Sequence, residues 1–373
     1  MSEFTIKPLD TFFFRDGKPF DMGENTFAST LVSLIPSNFY GAIASAYIAQ
    51  NGGTDILNDR KTFEVIKDVK TGRYGSFVIK GVFFKKGDKL LFPTPLDIYK
   101  KDEELAYAKI MNTENGKFIT SLKMGMKVLL LRGKSKFDIN PFIDQQDFKN
   151  YLLGDLPGDS ESLISYRNIF EIEPKIGIKK DRNSFAAEEG MLYRVNYLRA
   201  QKDVSISVFS TGIKLYNEGF LKIGGKDKTA YYSYKNDNLC IKDVSLDKSM
   251  FVNGIGKENY FKLYLATPAI FDNGWLIDGF EEKSGKFVYE KDSFSISIIA
   301  AAIDKSKVIG GWDMVKKAPK AGFKIVPEGS VYFLKLEKGS PQSVFDEFNC
   351  KNIGRLKEEG FGLSLLGIYK EGE

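Results

Sequence analysis

Apolar and polar residues alternate along much of the chain with the two-residue period of a β-strand. Most of these runs are rich in β-branched and aromatic residues and end at Gly, Pro or Asn, which favours strands over helices. We predict strands at Phe4 to Phe14, "SFVIKGVFF", "KLLFPTPLD", "EIEPKIGIKKD", "MLYRVNYLRA", "DVSISVFSTGI", "YFKLYLATPAIF", "SFSISIIAAAI", "GSVYFLKLE" and "GFGLSLLGIYK".

Helical patterns are fewer. The stretch "LIPSNFYGAIASAYIAQNGG" predicts a helix with Ser37 as its N-cap and the glycine pair as its end. Short helices are expected around Phe142 to Leu153, in "LYNEGFLK", and in "SPQSVFDEF" with Ser340 as the cap. The loop "RNSFAAEEG" is expected to join two of the strands.

The order of these elements suggests the fold. The chain of 373 residues exceeds the size of one typical domain, and each half contains strands with few helices. In the second half the helix lies between two strands, an order that suits a β-α-β-β-α-β unit. We therefore predict an α+β protein of two ferredoxin-like (RRM-like) domains with insertions, comprising residues 1–245 and 246–373.

The chain contains no histidine, which removes the commonest general acid or base and every His-containing triad or metal site. Cys240 and Cys350 have no Cys or His neighbours, so neither a disulfide framework nor a zinc motif is predicted. No Walker A, dinucleotide-binding or HExxH motif is present. We expect no metal and no cofactor.

The start of the chain lacks the charged and apolar regions of a secretory signal, and the run near Ile298 is shorter than the ~20 residues of a membrane span. We therefore expect a cytoplasmic protein without membrane contact. The net charge of +5 is only mildly basic, but positive residues concentrate between Lys70 and Lys89 and in "DKSKVIGGWDMVKKAPKAGFK". These segments are either RNA contacts or solvated surfaces.

Two further patterns suit RNA. In "LDTFFFRDGKPF" an Asp-Gly turn projects Arg15 and Lys18 past the end of a strand. Arg182, Tyr193, Arg194 and Arg199 alternate aromatic and basic side chains, which suits base stacking and phosphate contact. The alternative places Tyr193 and Tyr197 in a core and the arginines in ion pairs.

Glycine-rich loops allow backbone amides to approach phosphates closely. "LKIGGKDK" has a glycine pair beside Lys226 and Lys228, and "GFGLSLLG" has Gly360 and Gly362. The alternative is that the second pair simply ends a helix and begins a strand.

Taken together, the motifs resemble a known family. Their order from Leu9 to Tyr369 is similar to that of the Cmr-type RAMP subunit of type III-B CRISPR effector complexes that pairs with the large polymerase-like subunit. The motifs are "PLDTFFFRDGKPF", "IPSNFYGAIASAY", "FPTPLD", "EPKIGIKKD", "EEGMLYRV", "LKIGGKDK", "LATPAIF", "GGWDMVKKAPK", "GSVYFL" and "GFGLSLLGIY".

This resemblance implies a non-catalytic scaffold that binds the 5′ tag of the CRISPR RNA (crRNA) and contacts the large polymerase-like subunit and the first backbone RAMP subunit. In this family an acidic residue and an arginine commonly follow the glycines, whereas Lys226, Asp227 and Lys228 invert that order here, so a bidentate arginine contact to phosphate is not expected. The residues predicted to bind RNA are Arg15, Lys18, Lys179, Arg182, Tyr193, Arg194, Arg199, Lys226, Lys228, Lys316, Lys317, Gly360 and Gly362.

Two other functions stay open from the sequence. One is a metal-independent endoribonuclease that processes CRISPR repeat RNA, with Lys or Tyr in place of His. The other is a protein-interaction module whose basic segments only confer solubility.

Overall fold

A computed structural model describes residues 1–14, 27–28, 33–58, 61–68, 71–101, 104–111, 126–130, 135–136, 141–158, 162–181, 184, 186–225, 228–236, 241–313, 318–319 and 321–370. Within these ranges the protein is a mixed α+β structure of mostly antiparallel sheets with few helices.

The first part of the chain contains most of the strands. Its elements are β1 (Ser2–Pro8), β2 (Thr11–Phe12), β3 (Phe27–Ala28), α1 (Pro36–Gln50), α2 (Thr62–Val65), β4 (Val78–Lys86), β5 (Lys89–Pro93), β6 (Ile98–Lys101), β7 (Glu104–Tyr107), β8 (Lys109–Met111), β9 (Val128–Leu130), β10 (Ser135–Lys136), β11 (Phe142–Asp144), α3 (Gln145–Leu152), β12 (Phe170–Lys180), β13 (Ala187–Ala200), β14 (Val204–Thr211), β15 (Glu218–Lys222), β16 (Thr229–Lys235) and α4 (Ile241–Val244).

The rest of the chain repeats the plan. Its elements are α5 (Lys248–Gly254), β17 (Tyr260–Leu265), β18 (Glu281–Lys283), β19 (Lys286–Lys291), β20 (Phe294–Ala302), β21 (Lys307–Ile309), β22 (Trp312–Asp313), β23 (Ala318–Pro319), β24 (Phe323–Ile325), β25 (Val331–Gly339), α6 (Pro341–Phe348), β26 (Lys351–Asn352) and β27 (Leu363–Ile368). Short 3-10 turns occur at Gly53–Asn58, Tyr166–Asn168 and Lys357–Glu359.

Two seven-stranded antiparallel sheets form the body of the protein. The first sheet has the order β11-β5-β4-β14-β1-β16-β15, and the second has the order β18-β19-β20-β25-β17-β27-β26. In the middle of each sheet four strands follow one another in the same spatial order, β4-β14-β1-β16 and β20-β25-β17-β27. In chain order these are the second, third, first and fourth strands of each set. The predicted boundary between residues 245 and 246 lies between α4 and α5 and stays a prediction.

The two sets of strands differ in their helices. In the first sheet α1 connects the first and second strands, whereas the third and fourth are connected through β15. In the second sheet α6 connects the third and fourth strands, whereas the first and second are connected through the β18–β19 hairpin. The long β12–β13 hairpin, with β2 and β3 against it, forms a separate small sheet.

Several predicted elements are confirmed, and two details are wrong. Ser340 caps α6, and its hydroxyl accepts a hydrogen bond from the amide of Ser343 at 3.3 Å. Ser37, by contrast, lies inside α1: Pro36 opens the helix because its missing N–H would have no partner there, and Ile35 is the N-cap. The stretch "LYNEGFLK" is not a helix but contains β15, which pairs with β16 along its whole length.

Two predicted boundaries shift as well. The strand expected from Phe4 to Phe14 is broken at Leu9 and Asp10, so that β1 joins the first sheet and β2 joins the β12–β13 hairpin. The second strand of that hairpin already begins at Ala187, within the stretch expected to be a loop.

The core is divided by the first sheet. One cluster packs α1 against β1, β4, β14 and β16. A larger cluster packs both faces of the second sheet and includes Phe83, Phe92 and Phe148 from the first part of the chain. The core therefore runs across the predicted boundary between the two domains.

A buried ion pair connects the same regions. Lys262 on β17 donates to Asp97 at 2.8 Å, and both side chains are almost inaccessible to solvent. Asp97 also accepts from the hydroxyl of Tyr151 at 2.9 Å, and the Lys262 ammonium lies 4.0 Å from the ring centroid of Tyr107. Burial lowers the pKa of Lys262, and the neighbouring Asp97 carboxylate opposes that shift.

Candidate nucleic-acid interface

Two of the predicted RNA-binding residues meet at Asp10, where the break between β1 and β2 turns this side chain outward. Arg199 on β13 contacts Asp10 at 3.0 Å, and Lys228, next to the start of β16, contacts its second oxygen at 2.7 Å. Arg199 also donates to Glu173 at 2.7 Å, and Glu173 pairs with Lys175 at 3.1 Å. We call these five residues the Asp10 cluster.

Aromatic rings lie against the cluster. Tyr197 is buried and packs against Phe13, with ring centroids 5.3 Å apart. The ammonium groups of Lys175 and Lys228 lie 5.1 and 4.9 Å from the Tyr197 centroid. Tyr197 in a small core and Arg199 in ion pairs correspond to the alternative interpretation of this sequence pattern, and cations over an aromatic face add to the local order.

The glycine pair of "LKIGGKDK" fixes this geometry. The amide of Gly225 donates to the carbonyl of Phe13 at 2.8 Å. A Cβ on Gly224 would lie 2.6 Å from the same carbonyl oxygen, and the backbone there has φ +81°. Only glycine permits this close approach, which brings Lys228 to Asp10.

The charges of the Asp10 cluster influence one another. The hydrogen bond from Lys228 lowers the pKa of Asp10 to about 2, and Arg199 acts in the same direction. Hydrogen bonds from Lys175 and Arg199 lower the pKa of Glu173. Three cations therefore surround two ionised carboxylates at the surface. An arriving phosphate could exchange with either carboxylate, because exposed ion pairs are worth little on their own.

The remaining predicted residues are distributed differently. Arg194 is exposed on β13, and among the described residues it makes no ion pair. Lys179 and Tyr193 lie on the strands of the β12–β13 hairpin. Those that fall outside the described residues are Arg15, Lys18, Arg182, Lys226, Lys316 and Lys317.

Gly360 and Gly362 pack against other residues than those of the Asp10 cluster. Both have positive φ, and a Cβ on Gly362 would lie 2.0 Å from the carbonyl oxygen of Ile353. A Cβ on Gly360 would lie 2.6 Å from Ile79. Gly360 ends the 3-10 turn Lys357–Glu359 and Gly362 directly precedes β27, as the alternative from the sequence supposed, and close packing adds a reason for glycine at both positions. Their contact with RNA stays a prediction.

A cleft beside the first sheet was not predicted from the sequence. Its cavity of about 210 Å³ is lined by Phe84, Phe142, Tyr166 and polar side chains. The hydroxyl of Ser33 donates to Glu328 at 2.6 Å and accepts from Lys307 at 3.1 Å. Lys307 belongs to a basic segment noted in the sequence, but nothing local connects it to Ser33 or Glu328, which are almost 300 residues apart in the chain.

Groups of metal-ligating side chains and membrane-spanning helices are both absent from the part of the chain that the structure describes. Within it, no group of three or more His, Cys, Asp or Glu residues is placed to hold a metal ion. No helix there is long and apolar enough to cross a bilayer.

Comparisons with known proteins agree with the motifs. Residues 4–369 match the sequence model of a family described as CRISPR-associated protein (Cas_Cmr3). A search of curated proteins found no match.

Two solved structures share the fold. A chain in the cryo-EM structure of the type III-B Cmr-beta complex bound to cognate target RNA and AMPPnP is 18% identical, with a TM-score of 0.50, covering 92% of this chain and 88% of that one. A chain in the complex with cognate target RNA is 19% identical, with the same TM-score and coverage. The match over nearly the whole sequence confirms the resemblance, and the chain belongs to the Cas_Cmr3 family of CRISPR-associated proteins as a RAMP-type Cmr subunit.

Proposed function

We propose that this protein is the non-catalytic subunit of a type III-B effector complex that binds the 5′ tag of the crRNA. In this role it contacts the large polymerase-like subunit and the first backbone RAMP subunit, in the cytoplasm. The observation that carries the proposal is the family match over residues 4–369. The related chains of the Cmr-beta complexes support it, because those complexes hold target RNA.

We also infer that each seven-stranded sheet is built on one ferredoxin-like unit. The support is the shared order of four strands, second-third-first-fourth, in both sheets. One of the two helices of the β-α-β-β-α-β plan is replaced by strands in each unit, the second helix in the first sheet and the first helix in the second sheet.

The geometry suggests where phosphates bind. The Asp10 cluster presents Lys175, Arg199 and Lys228 beside a tight glycine turn. In the sequence, Arg15 comes two residues after Phe13, which packs against this turn. Cations around a close-approach backbone suit a sugar-phosphate chain.

Sequencing the RNA that copurifies with the intact complex tests the proposal. We expect a discrete guide species with a shared 5′ tag, and an intact complex without RNA would refute the proposal. Binding of tag RNA should weaken as salt rises, because phosphate contacts release counterions. Neutralising Arg199 and Lys228 together should make the dependence of log K on log salt concentration less steep, by the equivalent of roughly two phosphate contacts.

The non-catalytic role has its own test. Incubating the purified chain with repeat RNA should leave the RNA intact in the presence and absence of Mg²⁺. Defined cleavage that disappears after a single Lys→Ala change would instead establish the endoribonuclease.

A further inference from the structure

The outer part of the first sheet has one uncovered face. Along β1, β16 and β15 the residues alternate in burial: Phe4, Ile6 and Tyr232 pack under α1, while their neighbours Thr5, Lys7 and Tyr231 point away from it and are half-buried or exposed. In the second sheet β27 takes the place that β16 has in the first sheet, and it is buried at every position.

Three side chains on this face form a row across the strands. Lys7 on β1 is directly opposite Tyr231 on β16, and Tyr231 is directly opposite Phe220 on β15. Phe220 is 64% exposed, although a large apolar ring on a strand is normally covered. We call Lys7, Tyr231 and Phe220 the aromatic row.

The two rings form a platform. They meet edge to face with centroids 6.0 Å apart, and the Tyr231 hydroxyl donates to Glu218 at 2.5 Å. The hydrogen bond holds the Tyr231 ring in one orientation beside Phe220. Pre-ordered aromatic rings on an open sheet face are the surface on which RRM domains stack single-stranded bases.

The charge of this face favours a polyanion. Lys7, Lys222 and Lys235 share it with the aromatic rings, and all three are exposed. Of the carboxylates there, Glu3 is buried against Ser207, which leaves Glu218 as the exposed one among the described residues.

The face also continues into the Asp10 cluster. Lys222 is opposite Thr229, which lies between the aromatic row and Lys228. The amide of Leu9, next to Asp10, donates to the carbonyl of Thr229 at 3.1 Å. Thr229 is two positions along β16 from Tyr231 of the aromatic row, a distance of roughly 7 Å.

We propose that a single strand of RNA, contacted through its phosphates by the Asp10 cluster, continues over this face and stacks its bases on Phe220 and Tyr231. The inference rests on the proposed function in that the ligand is RNA, but it adds a site that does not depend on the tag sequence. A fluorescently labelled 12-nucleotide oligouridine is therefore a sufficient probe.

Anisotropy titrations of the full-length chain with this probe test the site. Phe220→Ala should weaken binding roughly 5- to 150-fold, the effect of one lost stacking contact, and Phe220→Tyr should retain affinity. Tyr216→Ala is the matched control: Tyr216 is 66% exposed on the same edge, but its amide donates to Gln50 at the end of α1, on the covered side. Its binding should change less than twofold.

Ultraviolet crosslinking of the same complex should yield adducts on the peptides that contain Phe220 or Tyr231. Oligouridine affinity that is unchanged in Phe220→Ala, or no detectable binding by the wild-type chain, would overturn the inference. The inference would also be overturned if a complex assembled with the Phe220→Ala variant lost a protein subunit while its affinity for RNA stayed the same. A complex that still holds tagged guide RNA in those cases would leave the proposed function intact, whereas a complex without guide RNA would refute that function separately.

Discussion

The two sheets share one order of strands but differ in what covers them. In the second sheet β17 and β27 are buried on both faces, between α5 and α6 on one side and α3 from the first part of the chain on the other. In the first sheet α1 covers one face, and the outer strands β16 and β15 leave the opposite face open. The same order of strands therefore forms core in one half of the chain and surface in the other.

The covered second sheet contains the buried charge of Lys262, which is paired with Asp97. Removing one partner of this pair should have the largest effect on stability of the changes considered. Lys262→Met leaves Asp97 buried without its cation and should lower the free energy of unfolding by about 3–5 kcal/mol. Urea denaturation measures the loss.

The double variant Lys262→Met with Asp97→Leu is the control. It removes both charges, so it should recover most of the lost stability. A single variant as stable as the wild type would show that the pair does not hold the two regions together.

A direct comparison sets β27, the strand next to the edge of the second sheet, against β15, the edge strand of the first sheet. Leu365→Ala on β27 opens a cavity in a fully buried strand and should cost about 2–5 kcal/mol. Phe220→Ala on β15 removes an exposed ring and should change the free energy of unfolding by no more than about 0.5 kcal/mol. Similar losses for both variants would mean that the first sheet is covered where the structure leaves it open.

Backbone packing at the start of β27 can be tested with a glycine. Gly362→Ala places a Cβ 2.0 Å from the Ile353 carbonyl oxygen at φ +67° and should cost roughly 1–3 kcal/mol or more. In Gly41→Ala the new Cβ in α1 meets nothing within 4 Å, so this variant should raise the free energy of unfolding by roughly 0.5–1 kcal/mol. Thermal unfolding compares the two, and equal shifts of Tm would contradict the close contact at Gly362.

The Asp10 cluster should have the smallest effect, because its ion pairs are exposed. The pKa of Asp10 is about 2 in the folded protein and ordinarily 3.8, so its contribution to stability is present above about pH 4 and is lost as the pH falls towards 2. Asp10→Asn removes this contribution, so it should lower the free energy of unfolding at neutral pH by no more than about 0.5 kcal/mol, because the ion pairs with Arg199 and Lys228 are exposed, and it should slightly flatten the acid limb of the stability profile. A steeper acid loss in the variant would reverse this sign.

Local patterns predicted much of the fold. Alternation with a period of two identified β1, β4, β5 and β14 of the first sheet and β17, β20, β25 and β27 of the second, and Ser340 followed by Pro341 identified the start of α6. The pattern was insufficient for "LYNEGFLK", where a few apolar residues match a helix or a strand equally well. There the choice was made by β16, which supplies backbone partners for β15.

The candidate site was predicted only in part. The sequence pointed to Arg199 and Lys228 as separate motifs, but their meeting depends on Asp10, which lies 189 and 218 residues away and carried no local signal. Phe220 and Tyr231 were not among the predicted RNA-binding residues, since an exposed aromatic residue has the same sequence pattern as a buried one.

The family, the content of strands and the absence of histidine chemistry follow from the sequence alone, because motif order, residue period and composition are properties of the chain. The enclosure of one sheet, the burial of Lys262 at Asp97 and the exposure of the aromatic rings follow only from the three-dimensional fold. Those features depend on contacts between residues far apart in the chain. Whether a face is core or surface is fixed by what packs against it, not by the strand that carries it.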